Sequence, residues 1–367
     1  MRTSRAAVQT DDRTIEHRTF DVPEEIGSRE AILNVEASGM CGSDWEQYQG
    51  ELAETGLVEY PCIPGHEPIG RIEEIGEEAS RQWGVSVGDR VAVEPFAPCG
   101  VCSYCTAGQY QHCENRFLYA FNTSSEGSGL WGGYAEYMHL RPNTVVHELP
   151  EELPTNEAVL FNPLGAGFEW AYRVAGTDPG DSVLILGPGQ RGLTSVIASN
   201  EAGADEIIVT GLERDSEKLA LAEEFGATAT VDVETHDTVE RVMEITDGRG
   251  VDRVIDVTPI ATDPIVHAVD VVRPGGVVVL AGLKGMKEVE GFVSDKLVMN
   301  GISVRGVLGV RSWAYEQAIR TIVDGEYPIE KMNSHTFTID ELERAMRILG
   351  GQADETATHI TIVPGSE

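Results

Sequence analysis

The chain has 367 residues, 41% of them hydrophobic, and carries 61 acidic against 27 basic residues for a formal net charge of −34. This charge repels nucleic-acid phosphates and anionic lipid headgroups, so we expect neither nucleic-acid nor membrane partners. No apolar run reaches the roughly eighteen residues that span a bilayer, and the length favours two domains.

Lysine is scarce among the basic residues, occurring only at Lys218, Lys284, Lys287, Lys296 and Lys331. An acidic, lysine-poor surface fits a salty cytoplasm, where screening relieves self-repulsion, and it also fits an ordinary acidic protein. Residues 1–9 lack the apolar stretch of a signal peptide, so we expect a cytoplasmic location.

Short strand-like segments broken by Gly and Pro fill the chain as far as Pro154. They are residues 31–37, 70–76, 89–95 and 134–138. Helical periodicity is scarce in this part, which predicts a β-rich lobe.

Candidate metal ligands lie early in this lobe. Cys41 falls in the segment GMCGSD, and His66 and Glu67 fall in GHEPIG. A thiolate, an imidazole and a carboxylate together make a catalytic type of zinc site, which keeps one exchangeable position. Taken singly, His66 is more often a structural histidine, and Cys62 is interpreted as a small packing residue.

Four of the six cysteines are crowded into a short segment, at Cys99, Cys102, Cys105 and Cys113. Thiolates at such spacing converge on one tetrahedral zinc. Disulfides are the weaker interpretation, because neighbouring thiols stay reduced in a cytosol. Four sulfurs leave no position for a substrate, so this zinc is predicted to be structural.

The pattern changes near Ala158, where helical stretches begin to alternate with apolar strands. The strands are residues 182–186, 206–210, 253–257 and 276–280. Continuous apolar strands separated by helices predict an α/β domain, a doubly wound parallel sheet covered on both faces.

The first of these strands leads into a glycine-rich turn with Gly187, Gly189 and Gly192. In a GxGxxG turn between strand and helix, the glycines allow the tight turn, the approach of a pyrophosphate and close packing of the helix on the strand. The helix N-terminus then favours the phosphates. This predicts a Rossmann domain that binds NAD(P).

The end of the second strand leaves the choice between NAD and NADP open. An acidic residue there accepts the ribose hydroxyls of NAD, but this chain has Gly211. Glu213 could reach the ribose and favour NAD, whereas Gly211 with Arg214 would make room and charge for the phosphate of NADP. Either side chain could equally be a solvated loop residue.

After Gly306 the sequence predicts helices over 313–324 and 339–349 and a strand over 357–363. We expect this tail to return to the first lobe. The predicted domains are thus 1–157, a catalytic domain with the cysteine lobe; 158–306, the cofactor domain; and 307–367, the return to the catalytic domain.

Together these segments resemble the zinc-containing medium-chain alcohol and polyol dehydrogenases over nearly the whole chain. Further segments that carry the resemblance are VGDRV at 87–91, GGYAEY at 132–137 and RPGG at 273–276. The resemblance implies a GroES-like catalytic domain, a Rossmann domain, and hydride transfer between NAD(P) and an alcohol in the cleft between them. Relatives also suggest a homo-oligomer, either a dimer or a tetramer.

The resemblance further implies roles for individual residues. Ser43 matches a hydroxyl that passes the substrate proton outward, and Asp44 would orient the zinc ligands. A zinc ion lowers the pKa of an alcohol that it holds, which favours release of hydride to the nicotinamide near neutral pH.

The chain departs from the family pattern at two further positions. Asn162 stands where the polyol branch has a glutamate near the catalytic zinc, so either Glu67 and water complete the shell or the metal is held weakly. We prefer the first interpretation. Glu46 replaces a histidine, so the outer proton relay would use a carboxylate or bulk water, unless Glu46 is simply exposed.

The leading hypothesis is a dehydrogenase of secondary alcohols, polyols or sugar hydroxyls. Its pocket would draw on aromatic residues, namely Trp45, Tyr48, Trp131 and Phe161. The same aromatic residues would also suit an alternative, a reductase or dehydrogenase of a bulkier apolar alcohol or aldehyde. A third hypothesis, from another class, is a cofactor-binding protein without turnover. The presence of all four of the residues Cys41, Ser43, His66 and Glu67 argues against it.

Overall fold

The structure is a computed structural model that describes residues 2–365. Its strands, in chain order, are β1 (Thr3–Asp11), β2 (Thr14–Asp21), β3 (Ala31–Met40), β4 (Glu67–Ile75), β5 (Arg90–Val93), β6 (Phe96–Ala97), β7 (Phe117–Leu118), β8 (Tyr137–Leu140), β9 (Val146–Glu148), β10 (Ser182–Leu186), β11 (Glu206–Gly211), β12 (Ala229–Asp232), β13 (Val251–Asp256), β14 (Val272–Leu280), β15 (Ser303–Gly306), β16 (Asn333–Thr338) and β17 (His359–Val363).

The α-helices are α1 (Gly42–Gln49), α2 (Glu51–Glu54), α3 (Glu77–Trp83), α4 (Ser103–Thr106), α5 (Thr155–Ala158), α6 (Phe161–Gly167), α7 (Gln190–Glu201), α8 (Ser216–Glu224), α9 (Thr238–Ile245), α10 (Asp263–Val271), α11 (Ser294–Asn300), α12 (Ser312–Asp324) and α13 (Leu342–Leu349). A π-helical stretch, Phe168–Val174, follows α6. No helix among residues 2–365 is both long and apolar enough to cross a membrane.

The chain divides into two compact units, with boundaries after Asn162 and after Pro328. The sequence placed these boundaries after residues 157 and 306. The chain returns to the first unit later than the sequence predicted. The reason is that α12 packs against the π-helical stretch and buries one apolar face, so this helix belongs to the second unit. Met1, Ser366 and Glu367, which the predicted domains included, lie outside the described residues.

The first unit is built on a β-sheet whose strands come from both the N-terminal and the C-terminal parts of the chain. Its strands run in the order β16-β17-β3-β4-β5-β9, and β8 also pairs with β3. The tail strand β17 lies antiparallel to β3, with Thr361 opposite Gly39. The segment predicted as a strand at 134–138 forms its strand slightly later, because Tyr137–Leu140 is the part that pairs with β3.

A hydrophobic core packs between this sheet, the β1–β2 hairpin and α13. Its largest fully buried members include Tyr134, Ile32, Met40 and Ile63. Burial of these side chains contributes about 2 kcal/mol each. The core therefore fixes the ends of β3 and β4, from which the candidate metal ligands extend.

The second unit is a six-stranded sheet in the order β12-β11-β10-β13-β14-β15, with all its described pairings parallel. β11 and β12 lie on one side of β10, whereas β13, β14 and β15 lie on the other. The strand order therefore reverses between β10 and β13. This is the Rossmann arrangement, which confirms the predicted fold class. Ligands of such sheets bind beyond the carboxyl ends of the strands at the reversal.

Candidate active site

Cys41 lies at the junction between a strand and a helix. It follows the last residue of β3 and is the N-cap of α1, with extended backbone angles of φ −127° and ψ 176°. Asp44, in the first turn of α1, accepts a hydrogen bond of 2.9 Å from the backbone N–H of Cys41. This capping bond fixes the direction in which the cysteine extends.

His66 is brought to Cys41 by strand register. In the antiparallel pair of β3 and β4, Gly39 lies opposite Glu67, so the same register continued places His66 opposite Met40, the residue before Cys41. The sulfur of Cys41 is 3.3 Å from Nε2 of His66. Both residues are buried, with exposed fractions of 5% and 7%.

Ser43 and Glu67 complete the cluster. Ser43 Oγ lies 2.8 Å from the sulfur of Cys41 and 3.4 Å from Nε2 of His66. Glu67 is fully buried, and its Oε1 lies 3.7 Å from the same His66 nitrogen. The structure thus brings together Cys41, Ser43, Asp44, His66 and Glu67.

The geometry fits zinc. Ligand bonds of about 2.3 Å to sulfur and 2.1 Å to nitrogen in a tetrahedron separate the two atoms by about 3.6 Å, close to the separation of Cys41 and His66. Asp44 lies on the other side of the imidazole ring, with Oδ1 3.6 Å from Nδ1. This is the position of a carboxylate that orients a metal-binding histidine.

The charges of the cluster also favour a cation. Burial alone lowers the pKa of His66, but the neighbouring Cys41 and Asp44 outweigh it and raise that pKa well above its ordinary value. Burial raises the pKa of the Tyr134 hydroxyl well above its ordinary value, and Asp44, Cys41 and Glu67 raise it further. A metal cation bound between Cys41 and His66 would offset this concentration of negative charge.

Two aromatic neighbours of the cluster were missed by the sequence reasoning. Tyr134 is fully buried and its hydroxyl donates a 3.4 Å hydrogen bond to the carbonyl of Gly39. The ring of Phe121 lies 5.6 Å from the ring of His66. A Cβ on Gly65 would lie 2.5 Å from the Tyr134 ring, a close approach between distant segments that the sequence alone does not reveal.

Two further predicted site residues, Asn162 and Glu46, differ in their surroundings. Asn162 is buried in the first turn of α6, with an exposed fraction of 3%. Glu46 lies half-buried on α1. Burial, with a smaller contribution from Glu51, raises its pKa to about 7.

The four aromatic residues considered for a substrate pocket take part in packing. Tyr48 and Trp45 contact the core of the first unit, and Trp131 belongs to a second core in the same unit. Phe161 is fully buried. Their burial provides no support for a pocket built from them.

The four-cysteine segment folds into a compact sulfur cluster. The ligand atoms of Cys99, Cys102, Cys105 and Cys113 all lie within 4.8 Å of one another. The Cys102 and Cys105 sulfurs are 3.4 Å apart and those of Cys99 and Cys105 3.9 Å apart, near the 3.8 Å or so of a tetrahedral zinc site. None of them forms a disulfide. Backbone N–H groups of Val101 and Cys102 hold the Cys99 thiolate and lower its pKa to about 6.

The glycine-rich turn has the geometry that a dinucleotide needs. Gly187 has φ +102°, and a Cβ on Gly192 would lie 1.9 Å from the carbonyl oxygen of Gly187. Gly189 is the N-cap of the twelve-residue helix α7, and a Cβ there would meet open space. This open side leaves room for a pyrophosphate at the helix N-terminus.

Gly211 ends β11 beside this turn. A Cβ at Gly211 would lie 2.9 Å from Cγ of Pro188, so the packing itself excludes a larger side chain. Glu213 and Arg214 follow in a 3₁₀ turn and both are exposed. The backbone N–H of Glu213 donates a 2.8 Å hydrogen bond to Glu234.

Comparison with known proteins identifies the class of this fold and site. Residues 27–151 match the family model of the alcohol dehydrogenase GroES-like domain, and residues 192–324 match that of zinc-binding dehydrogenases. These matches define the class of the protein, which is a zinc-binding oxidoreductase with a GroES-like unit and a Rossmann unit.

Individual relatives narrow the class. The chain is 41% identical to a probable alcohol dehydrogenase of Mycobacterium tuberculosis over 95% of both chains, and 33% identical to sorbitol dehydrogenase of Bacillus subtilis over 94% of both. The crystal structure of a zinc-binding dehydrogenase from Sinorhizobium meliloti, described as putative in function and bound to NADP, superposes with a TM-score of 0.86 at 26% identity, over 99% of this chain and all of the other. This chain belongs to the zinc-containing alcohol and polyol dehydrogenases.

Proposed function

We propose that the chain transfers hydride between NAD(P) and a secondary alcohol, polyol or sugar-type hydroxyl, at a zinc held by Cys41 and His66. The 3.3 Å approach of the Cys41 sulfur to the His66 imidazole, beside the hydroxyl of Ser43, carries this proposal. When bound, zinc would act as a Lewis acid toward the substrate oxygen. Sorbitol dehydrogenase among the relatives supports a polyol as substrate.

Three other residues have separate proposed roles in proton transfer and in positioning the zinc ligands. Ser43 is half-buried at the edge of the cluster, so its hydroxyl is placed to accept the substrate proton and pass it outward. Asp44 acts as a positioning residue, because it holds both the backbone of Cys41 and the ring of His66. Glu46, whose pKa of about 7 suits proton exchange near neutral pH, would accept the proton from the relay.

Glu67 is the proposed third ligand of this zinc. Its oxygen lies 3.7 Å from the ligating nitrogen of His66, and a buried carboxylate is a far better zinc ligand than the neutral amide of Asn162. Water or substrate would fill the remaining position. The four-cysteine cluster would hold a second, structural zinc.

For the cofactor we propose that NADP(H) is accepted at least as well as NAD(H). The packing at Gly211 excludes the carboxylate that would repel a 2′-phosphate, and the exposed Arg214 lies three residues further on. The relative of known structure that binds NADP supports the same choice. Comparison of kcat/KM for NADP with kcat/KM for NAD measures this cofactor preference.

A substrate panel tests the proposed reaction. Alcohols, polyols, aldoses and bulky apolar alcohols would be offered with each cofactor, while zinc content is measured by mass spectrometry. Turnover of polyols with two zinc ions per chain is the expected result. Turnover of the apolar alcohols alone would favour the bulky-substrate alternative, and cofactor binding without turnover would favour a binding protein.

We also propose that two copies of the chain pair along the edge strand β15. All four residues of β15 are exposed, and it is the last strand of its sheet. Exposed apolar side chains cluster around it in the sequence, namely Leu283, Met286, Val298, Met299 and Leu308. An open strand edge suits pairing with a second copy of the same strand, and exposed apolar side chains are frequent at such interfaces. A monomer in analytical ultracentrifugation would contradict this assembly.

We also propose a reducing, salt-rich cytoplasm as the setting. All six cysteines are free, as a zinc-thiolate cluster requires, and a net charge of −34 is self-repulsive at low ionic strength. The expected result is a higher melting temperature in molar KCl than in dilute buffer. An unchanged melting temperature would contradict the salt adaptation.

A further inference from the structure

A buried lysine connects two segments at the carboxyl edge of the Rossmann sheet. β13 and β14 are parallel neighbours, with Asp256 opposite Leu280 at their ends. The segments that follow them stay together, because the backbone N–H groups of Ala281 and Gly282 both donate to the carbonyl of Asp256. Lys284 lies immediately beyond this contact.

The ammonium group of Lys284 is held by both segments. Its Nζ lies 2.8 Å from Oδ2 of Asp256 and donates a 2.9 Å hydrogen bond to the hydroxyl of Thr258. It also bonds to the Thr258 carbonyl. Asp256 is fully buried, and the Lys284 side chain is only 9% exposed.

Asp256 uses its other oxygen to hold the same threonine. Its Oδ1 accepts hydrogen bonds of 3.0 Å from the backbone N–H of Thr258 and 2.5 Å from the hydroxyl. Asp256, Thr258 and Lys284 thus form a closed cluster, which we call the Lys284 clamp. Lys284 is one of only five lysines in the chain.

The clamp contacts the cofactor turn. A Cβ on Gly187 would lie 3.0 Å from Cγ2 of Thr258, and Val257 donates a backbone hydrogen bond to Leu186 at the end of β10. The clamp therefore lies at the reversal of strand order between β10 and β13, where dinucleotides bind.

Topology indicates which part of the dinucleotide lies nearest. The end of β11, with Gly211 and Glu213, receives the adenosine ribose, and Gly189 receives the pyrophosphate. The nicotinamide half must then extend to the opposite side of β10, over the ends of β13 and β14. The Lys284 clamp lies on that side.

Stability alone does not explain the clamp. A buried ion pair contributes little net stability, because the attraction between its charges mostly offsets their loss of hydration. Its effect is to restrict the two segments to one arrangement. A site that is already ordered binds its ligand more tightly, because binding does not have to order it.

We propose that Lys284 is a positioning residue for the nicotinamide half of the cofactor. It orders the segments after β13 and β14 through Asp256 and Thr258. This inference rests on the proposed function, in that it requires NAD(P) at this sheet.

The test compares binding of whole and half cofactors to the full-length protein by calorimetry. ADP serves as probe for the adenosine and pyrophosphate part, and NADPH and NADH as whole cofactors. Lys284→Met should raise the dissociation constants of both reduced cofactors about tenfold and leave that of ADP within about twofold. Lys287→Met, an exposed lysine three residues further on, is the matched control and should change none of them.

The other outcomes overturn the inference. Equal weakening of ADP and NADPH would mean that Lys284 supports the cofactor domain as a whole, and unchanged binding of both would mean that it positions nothing. If Lys284→Met does not fold, as judged by circular dichroism, Thr258→Val replaces it, and the same preferential loss of NADPH over ADP is required. Failure of the wild-type protein to bind any dinucleotide would instead contradict the proposed function.

Discussion

Oδ1 of Asp44 lies 3.6 Å from Nδ1 of His66, on the ring edge opposite the sulfur of Cys41. The other oxygen of Asp44 caps the helix that begins after Cys41. One fully buried carboxylate therefore lies against two of the proposed zinc ligands, and we expect its removal to affect metal binding and helix capping together.

Asp44→Asn separates these two effects, because the amide oxygen can still cap the helix while the negative charge facing His66 is lost. We expect zinc affinity at this site to fall about 10- to 100-fold, with little change in melting temperature. Competition with a chromogenic chelator measures the affinity. Unchanged zinc affinity in a folded variant would remove Asp44 from the metal site.

Gly39→Ala tests the tight packing behind Glu67. A Cβ at this position would lie 2.5 Å from Oε2 of Glu67 and 3.0 Å from Nε2 of His359, so the glutamate must move. We expect a loss of about 1 to 3 kcal/mol in the free energy of unfolding, together with reduced activity. Gly42→Ala is the matched control, since its Cβ would meet nothing within 4 Å. Equal behaviour of the two variants in urea unfolding would contradict this packing argument.

Cys105→Ser tests the structural zinc. The serine oxygen is a poorer zinc ligand than a thiolate, so the variant should lose one of two zinc ions and melt at a lower temperature. Cys62→Ser is the control for loss of a buried thiol, because Cys62 lies outside the four-cysteine cluster. Zinc content by mass spectrometry distinguishes them, and two zinc ions in Cys105→Ser would contradict the assignment.

Arg214→Ala tests the proposed binding of NADP. If the guanidinium of Arg214 holds the 2′-phosphate, KM for NADP should rise about tenfold while KM for NAD stays the same. Glu213→Gln is the converse variant, and it should weaken only NAD if the carboxylate binds the ribose hydroxyls. Equal effects of Arg214→Ala on both cofactors would contradict selective recognition.

Local patterns predicted the parts of the fold that their own residues determine. The apolar strands β10 and β11 and the glycine turn appear where the sequence placed them, because burial on both faces leaves a continuous apolar run. The cysteine spacing likewise predicted the sulfur cluster. β2 was missed because its residues are mostly exposed and polar, so they carry no periodic apolar signal.

Long-range contacts account for the rest. The pairing of β17 with β3 joins Ile360 to Met40, and the Lys284 clamp joins residues 28 positions apart in sequence. Neither contact leaves a pattern within one segment. The burial of Tyr48 and Trp131 could not be predicted either, because an aromatic residue has the same local sequence pattern whether it lines a pocket or packs in a core.

Glu46 provides the test of the proton relay and of its pH dependence. Burial first, and then Glu51, raises its pKa from 4.5 to about 7, so the folded protein binds this proton more tightly than the unfolded chain does. The stability that the protonated Glu46 contributes is therefore present below pH 4.5 and is lost as pH rises through 7. Glu46→Gln, which cannot ionise, should be as stable as wild type in acid and more stable at pH 8.

Activity provides the second readout for Glu46. If this carboxylate accepts the substrate proton, kcat of the wild type should rise through an inflection near pH 7, and Glu46→Gln should lack that inflection. Glu51→Gln is the matched variant: it removes the negative charge that helps raise the pKa of Glu46, so the inflection should move to lower pH. A stability change without any change in the pH–rate profile would leave Glu46 as a buried acid with no part in proton transfer.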